Sequence, residues 1–349
     1  MENLKKSYFI VIVGLGSIGR RHAEYFSSIK GEMIFIDPSK TVFTWAKETK
    51  EDKYKIFKNI EDAKPYIVKN NLPKIAVISN LGHQHYSSVL ELYDMGFKNF
   101  FIEKPVVNAL YQIDKLTSMI IDGKINIVTG FGWRYSGLPE KITNISKLHL
   151  GGVPLLINMV GGAFGMVTNG IHYLDLAVSI FNSNPLSVIS DLDSQNINPR
   201  SNKLDFWEGS SVWNFPDGKK LIINASNQSS VSSIIQVICP KGKIVINEDM
   251  SVSTYKRDDI EIAKDPRVTR LGKPVKLNEL NFKPDKSKVY DILFLPLFEM
   301  DKKMLTSVER EMIATKSIIY SLISSSLEQK LNINDDVDEK YYNMEWMIS

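Results

Sequence analysis

Three spaced glycines follow the first apolar stretch of the chain, Tyr8–Val13. The first glycine permits a tight turn, the second lets the backbone approach a pyrophosphate, and the third allows a helix to pack closely on the strand. The helix that should begin there offers free N–H groups and the positive end of its dipole to phosphate oxygens. We therefore predict a dinucleotide-binding turn, whose cofactor-contacting residues are Gly14, Leu15, Gly16, Ser17, Ile18 and Gly19.

Asp37 directly follows the second apolar strand, Met33–Ile36. A carboxylate at this place accepts hydrogen bonds from the adenosine ribose and repels a 2′-phosphate, which favours NAD as the cofactor. Ser39 and Lys40 follow closely and could hold such a phosphate, so NADP stays as the less favoured alternative.

Lys104 lies just after the fifth apolar strand, Asn99–Ile102, between Glu103 and Pro105. Ligands bind at the carboxyl ends of strands in open parallel sheets, so Lys104 should lie where a nicotinamide ring would be held. There it could orient a substrate hydroxyl or exchange a proton with it. Residue type alone favours a solvated lysine, because lysines are common at surfaces.

Two further groups of polar residues are candidates for the same chemistry. Ser79, Asn80 and His85 end or follow the fourth strand, and a loop there would pass over the cofactor. His172 and Asp175 would be neighbours on a helix, and histidine is the commonest acid–base group at neutral pH. A lone histidine is more often structural, and that alternative stays open from the residues alone.

The elements that must position these residues change in character near residue 130. Before it, continuous apolar strands alternate with amphipathic helices, which indicates a parallel sheet covered on both faces. After it, a helix over Leu138–Leu150 and a later one over Val308–Gln329 enclose mainly extended segments. Those segments predict an antiparallel sheet and are Leu155–Val160, Ser211–Phe215, Lys220–Ala225, Ile234–Cys239, Lys243–Asn247 and Ser251–Tyr255. Two polar stretches, Ser190–Gly209 and Lys256–Lys288, are expected to be loops.

Length and composition bound the possible classes of protein. With 349 residues, 43% of them hydrophobic, the chain should form two domains, since single cores stop growing near roughly 250–300 residues. The net charge of +3 is spread along the chain, which argues against nucleic acid as a partner. No apolar run approaches the roughly 20 residues that cross a bilayer, so we expect no membrane partner. The single cysteine, Cys239, rules out an internal disulfide and suits a reducing cytoplasm.

The order of these motifs resembles that of the Gfo/Idh/MocA oxidoreductases over nearly the whole chain. The residues that carry the resemblance are Gly14–His22, Asn80 to His85, Glu103-Lys104-Pro105, and Gly161-Gly162 followed by His172 and Asp175. It implies an α/β fold, in which a Rossmann dinucleotide-binding domain (1–130) precedes an α/β domain with a large, mostly antiparallel open sheet (131–349). It also implies a homodimer or homotetramer formed through the face of that sheet.

The same resemblance implies roles for particular residues. Lys104 and His172 take the catalytic positions, and no metal is expected. Besides the glycine turn, the cofactor would contact Asp37, Ser79, Asn80, His85, Glu103 and Lys104, and the substrate would contact Trp133, Arg134, Tyr135, Asn169 and His172. Arg134 is expected to meet an anionic substituent of the substrate.

One position departs from the family pattern. Many members carry an aspartate four residues before the histidine, where this chain has Thr168. The surrounding sequence is similar to a branch found among enzymes of bacterial surface-polysaccharide synthesis. The segment 335–349 also differs from a usual family ending, and it is expected either to pack on a neighbour or to fray.

Three functions are compatible with the sequence. The first is hydride transfer between NAD and a secondary hydroxyl or keto group of a sugar, with Lys104 holding the hydroxyl and His172 moving its proton. The second is a redox-neutral sugar lyase or hydrolase that oxidises its substrate only transiently. The third is a sensor of a sugar or a dinucleotide that lacks turnover, although a pure binder does not need both Lys104 and His172.

Overall fold

The computed structural model describes residues 6–48, 54–162, 165–195, 204–257, 274–298 and 307–348. The chain divides into two compact units. The first contains residues 1–131, 287–315 and 338–349, and the second contains residues 132–286 and 316–337. The two continuous domains expected from the sequence differ from this division at 287–315 and at 338–349.

The first unit begins with alternating strands and helices. They are β1 (Tyr8–Val13), α1 (Ser17–Phe26), β2 (Gly31–Ile36), α2 (Lys40–Glu48), β3 (Lys55–Phe57), α3 (Ile60–Lys69), β4 (Lys74–Ile78), α4 (His85–Asp94), β5 (Asn99–Ile102), α5 (Leu110–Ile121) and β6 (Asn126–Thr129). A 3-10 helix at Gly82–Gln84 precedes α4.

The strands of the first unit form one parallel sheet in the order β3-β2-β1-β4-β5-β6. Every residue of β1 is buried, as its unbroken apolar sequence predicts for a strand covered on both faces. The direction of winding reverses between β1 and β4. The carboxyl ends of these two strands therefore border the crevice where open α/β sheets bind ligands.

The remaining elements complete both units. They are α6 (Leu138–His149), β7 (Leu156–Gly161), α7 (Gly170–Phe181), β8 (Ser187–Gln195), β9 (Phe206–Asn214), β10 (Lys220–Ala225), β11 (Ile234–Cys239), β12 (Gly242–Ile246), β13 (Ser251–Arg257), β14 (Pro274–Asn281), α8 (Lys286–Phe298), α9 (Val308–Ser326), β15 (Leu331–Asn332) and α10 (Glu339–Tyr342).

The second unit contains a nine-stranded sheet in the order β14-β13-β12-β11-β7-β10-β9-β8-β15. Among the described residues of this sheet, β7 and β10 are the only parallel neighbours, and the other neighbouring strands are antiparallel. One face is buried, with Leu221, Ile223 and Val237 fully covered. The other face exposes Val160 and Ile234 by 49% and 42%, as expected for a sheet with one open face.

Both predictions of long loops are wrong in part. Strands β8 and β9 occupy both ends of the stretch Ser190–Gly209, whose residues 196–203 lie outside the described part of the chain. Strand β14 and the start of α8 occupy the end of Lys256–Lys288, and residues 258–273 are again outside the described part. Polar side chains on an exposed strand face make such strands resemble loops in the sequence.

Candidate active site

The glycine turn lies between β1 and α1, and its three glycines differ in how closely other atoms surround them. Gly14 has φ +87°, and a Cβ there would lie 2.4 Å from the backbone nitrogen of Asn80. A Cβ on Gly19 would lie 1.9 Å from the carbonyl oxygen of Gly14. A Cβ on Gly16 would meet no atom of the described residues within 4 Å, and its φ of −63° suits any residue. Only Gly16 is therefore free of a packing constraint within the unit.

The beginning of α1 is open to solvent next to that glycine. Gly16, Ser17 and Ile18 are exposed, and no described side chain caps the helix. The first N–H groups of a helix have no partner within it, and they carry the positive end of its dipole. This arrangement suits a phosphate or pyrophosphate group.

Asp37 lies at the end of β2, and its carboxylate holds the glycine turn. One oxygen accepts the N–H of Leu15 over 2.7 Å, and the other accepts the N–H of Ser39 over 2.8 Å. A carboxylate offers about four lone-pair sites, so Asp37 can still accept hydrogen bonds from two hydroxyl groups.

Arg20 also contacts the glycine turn. Its Nε donates to the carbonyl of Leu15 over 3.0 Å, and its guanidinium carbon lies 5.1 Å from the centre of the Trp45 ring. A cavity of about 340 Å³ adjoins Arg20. Its lining residues are Arg20, Arg21, Ala23, Glu24, Ser27, Phe35, Trp45 and Tyr54.

Ser79 and Asn80 connect the end of β4 to the glycine turn and to α4. The Ser79 hydroxyl donates to the carbonyl of Gly14 over 2.8 Å, and the Asn80 side-chain amide donates to the Ser88 hydroxyl over 3.0 Å. Both residues are partly exposed. They lie beside the crevice at the switch point of the sheet.

His85 is buried beneath the loops that follow β4 and β5. Its Nδ1 donates to the carbonyl of Pro105 over 2.8 Å, and its Nε2 lies 3.2 Å from the carbonyl of Asn80. Burial lowers the pKa of His85 below its usual value of 6.5, against the opposing effect of these carbonyls. With 1% of its surface exposed, His85 ties the two loops together from inside the unit.

Glu103 and Lys104 follow β5 at the same edge. The Glu103 carboxylate lies 2.9 Å from Nε2 of His22 on α1, and it would crowd any Cβ on Gly130. Glu103 therefore links the loop after β5 to the helix that begins at the glycine turn. Lys104 is partly exposed at the end of β5, and its N–H lies 3.4 Å from the Glu103 carboxylate.

In the second unit, Arg134 forms a buried ion pair with Asp175 of α7. Its terminal nitrogen lies 2.6 Å from one carboxylate oxygen, and Nε donates to the other over 3.3 Å. The two side chains are 5% and 1% exposed. This bidentate pair fixes the first turns of α7 against the 3-10 helix Gly132–Tyr135.

His172 lies in the first turn of α7, three residues before Asp175. It is partly exposed, as are Trp133, Tyr135 and Thr168, and Asn169 at the helix start is exposed. The His172 N–H donates to the carbonyl of Asn169 over 2.9 Å. The structure thus keeps the expected substrate residues within one unit, whereas Lys104 belongs to the other.

Sequence reasoning missed two buried polar contacts in the first unit. Glu311 of α9 accepts hydrogen bonds from the N–H and the hydroxyl of Thr129 at the end of β6. Asn108 pairs with the backbone of Trp346. A lone carboxylate on the apolar face of a helix was the available signal for Glu311, and no local signal marks the second contact.

The described residues contain neither a membrane-spanning helix nor a cluster of metal ligands. None of their helices is long and apolar enough to cross a membrane. Within the same ranges, no group of three His, Cys, Asp or Glu side chains could hold a metal ion.

Solved structures share the fold over almost the whole chain. An oxidoreductase from Agrobacterium radiobacter, in complex with NAD+, L-tartaric acid and magnesium, is 11% identical, with a TM-score of 0.71 and coverage of 93% of this chain and 98% of that one. GenD2 from gentamicin A biosynthesis, in complex with NAD, is 12% identical, with a TM-score of 0.71 and coverage of 95% and 98%.

A super-repressor mutant of Gal80p from Saccharomyces cerevisiae is 13% identical, with a TM-score of 0.69 and coverage of 94% of this chain and 98% of that one. No family model and no curated protein matches the sequence. The similar structures confirm the expected fold, a Rossmann-type unit with a second unit built on a mostly antiparallel sheet.

Proposed function

We propose that this protein is an NAD-dependent oxidoreductase that transfers a hydride between the cofactor and a secondary hydroxyl or keto group of a sugar or polyol. The observation that carries the proposal is the open glycine turn at the switch point of the parallel sheet. Gly14 and Gly19 are explained by packing, whereas Gly16 has room for a side chain within the unit. A ligand that approaches the backbone at position 16 would explain why this position is a glycine.

The residues around the turn fit a dinucleotide. The exposed start of α1 would hold the pyrophosphate, and Asp37 has lone pairs left for the two ribose hydroxyls. Ser79 and Asn80 lie at the same edge of the sheet, and the Ser79 hydroxyl donates to the carbonyl of Gly14 in the turn itself. His85 and Glu103 would act indirectly, since they hold the loops that border the crevice rather than face it.

A bound nicotinamide would supply the hydride acceptor or donor. Lys104 is partly exposed at the carboxyl end of β5, and its ammonium can donate a hydrogen bond to the reacting oxygen. His172 is partly exposed in the first turn of α7 and can accept or return the proton of that hydroxyl. Thr168 can orient a neighbouring group, but its hydroxyl is not a base at neutral pH.

The side chains near the beginning of the second unit and at the start of α7 favour a neutral, hydroxyl-rich substrate. Trp133 and Tyr135 are partly exposed and offer flat apolar faces. Arg134 forms an ion pair with Asp175. We therefore assign Arg134 a structural role in holding α7, and not the binding of an anionic substrate group. Asn169 is exposed beside them and can donate to and accept from hydroxyl groups.

The proposal is tested by titrating the protein with NADH and following the nicotinamide fluorescence. Gly16→Ala should fold like the wild type, because its Cβ meets no described atom within 4 Å, and yet weaken NADH binding by about tenfold or more. Ser118→Ala, at an exposed position of α5 that is assigned no contact with the cofactor, is the control and should bind normally. Wild-type protein that binds neither NADH nor NADPH would overturn the proposal.

The reaction itself is tested by incubating the protein with NAD and a set of sugars and polyols, and by following NADH formation. A cofactor that stays bound through purification, together with turnover that forms no free NADH, would indicate the redox-neutral reaction instead.

The shared fold with Gal80p supports a second candidate, a regulatory protein that binds the dinucleotide without turnover. The threonine at position 168 is compatible with it. Normal NADH binding with no conversion of any sugar or polyol in the set would favour this candidate over the enzyme.

A further inference from the structure

The chain returns to the first unit after α9 through residues 338–348, here called the returning segment. The Asp338 side chain caps the beginning of α10, where its carboxylate accepts a hydrogen bond from the backbone N–H of Lys340 over 2.8 Å. Beyond α10, Trp346 and Ile348 are buried, with 7% and 0% of their surfaces exposed. The described part of the segment is therefore anchored within the first unit by these two side chains.

Trp346 pairs with Asn108 in the loop after β5. The backbone N–H of Trp346 donates to the backbone carbonyl of Asn108 over 2.9 Å, and the Asn108 side-chain amide donates to the backbone carbonyl of Trp346 over 3.0 Å. Asn108 is fully buried and lies four residues beyond Lys104. The pair fixes the far end of the loop that carries Lys104.

Ile348 contacts the loop after β4 at the same time. Its carbonyl oxygen lies 2.9 Å from the position of a Cβ on Gly82, and the Pro105 ring lies 3.3 Å from that position. Gly82 is thus enclosed between the returning segment and Pro105. The segment therefore supports both loops that His85 joins from below.

Polar contacts along α5 hold the segment in this place. The Tyr111 hydroxyl donates to the Glu345 carboxylate over 2.6 Å, and the Tyr342 hydroxyl donates to Asp114 over 2.9 Å. Burial lowers the pKa of His83, and the Glu345 carboxylate opposes that shift, which is consistent with Glu345 lying near the loop after β4.

We infer that the returning segment is a positioning element of the cofactor site, and that Trp346 and Ile348 hold the loops bearing Lys104 and Asn80 in their binding geometry. This inference rests on the proposed function, because it assumes that these two loops border bound NAD. By linkage, a segment that favours cofactor binding must itself be stabilised when the cofactor binds.

Trp346→Ala should weaken NADH binding about tenfold, within the usual range for coupling between sites. Both variants keep the backbone atoms that pair with Asn108. Trp346→Phe also keeps a large apolar ring in the buried place of the indole, and it should restore most of the affinity. Met347→Ala is the matched control, since Met347 is 37% exposed on the same segment. Binding is measured well below the melting temperature, so that only folded protein is compared. Unchanged NADH affinity in folded Trp346→Ala would overturn the inference.

Hydrogen exchange of the wild-type protein tests the same idea without a substitution. NADH should slow the exchange of the backbone N–H of Trp346, which is hydrogen-bonded to the carbonyl of Asn108. Exchange in 338–348 that is the same with and without saturating NADH would contradict a positioning role. If the wild-type protein does not bind NADH at all, the result would instead overturn the proposed function.

Discussion

His85 donates from Nδ1 to the backbone carbonyl of Pro105 over 2.8 Å, directly beneath the loop that carries Lys104. Burial lowers the pKa of His85, so the folded protein keeps this imidazole neutral at pH values where the unfolded chain takes up a proton. Below a pH of about 6.5 the unfolded state then binds more protons than the folded state. The free energy of unfolding should therefore fall as the pH decreases from about 6.5 towards the lower pKa of the folded state.

His85→Gln tests this dependence. At neutral pH the substitution should lower the free energy of unfolding by about 1–3 kcal/mol, because the flexible glutamine amide does not reproduce the position of the imidazole between two buried carbonyls. It should also make the melting temperature fall less steeply as the pH is lowered from about 7 to about 5. His83 contributes with the same sign, since burial lowers its pKa as well, so some slope should remain. His149→Gln at an exposed position is the control, and an unaltered slope in His85→Gln would refute the prediction.

Asp37 should make the protein prefer NADH to NADPH by about tenfold or more. The reason is repulsion between its carboxylate and the 2′-phosphate. Asp37→Asn should narrow this preference while keeping an acceptor for the N–H of Leu15. Asp37→Ala removes that acceptor too and should weaken both cofactors. Fluorescence titration gives the dissociation constants, and equal or tighter NADPH binding by the wild type would move the adenosine contact to Lys40 or Arg20.

The exposed face of the second sheet should join copies of the chain into dimers or tetramers. Val160 and Ile234 are paired neighbours on β7 and β11, and both are largely exposed. Replacing both by aspartate should lower the mass measured by light scattering to that of a monomer. Leu148→Asp, on the exposed side of α6, should leave the mass unchanged. Wild-type protein that is monomeric at micromolar concentration would show that the prediction is wrong.

Removing one member of the pair between Arg134 and Asp175 should destabilise the second unit strongly. Asp175→Ala leaves a buried guanidinium without its main partner, which costs about 3–5 kcal/mol. Asp122→Ala breaks the solvent-exposed pair with Lys124 and should cost much less, because water screens exposed ion pairs. Urea unfolding measures both changes. Similar losses for the two variants would mean that Arg134 finds another partner when Asp175 is removed.

The sequence predicted the first sheet and the centre of the second well. Unbroken apolar runs such as β1 occur only where both faces are covered, and β10 and β11 have the predicted bounds. β8 was missed in part because Ser190, Asp191 and Asp193 interrupt its apolar pattern.

The sequence proposes individual residues of the candidate site, but it does not show the contacts that support them. Arg134 carries the charge expected of an anion-binding residue, and nothing local indicates that Asp175 neutralises it. Asn108 and Trp346 are separated by 238 residues, and only the folded chain brings them together. Such long-range pairs depend on tertiary packing, which the spacing of residues does not encode.

The last prediction concerns the acid–base chemistry and is measured once a substrate is identified. Lys104→Ala and His172→Ala should each lower turnover by on the order of 10²–10⁴, the usual effect of losing a general acid–base group. Neither residue is assigned to the pyrophosphate or adenosine, so NADH affinity should change little. Lys115→Ala, an exposed lysine of α5, is the control for Lys104→Ala.

Thr168→Ala should reduce turnover less than either of those substitutions, since a threonine hydroxyl can orient a proton acceptor but cannot replace one. Turnover is measured at saturating NAD, so that any small change in cofactor affinity does not enter the comparison. If His172→Ala keeps near-full turnover, the histidine is structural and the proton must leave through Lys104 or water. If Thr168→Ala is the most damaging of the three, the threonine has taken over the role that an aspartate holds in the related pattern, and His172 is secondary to it.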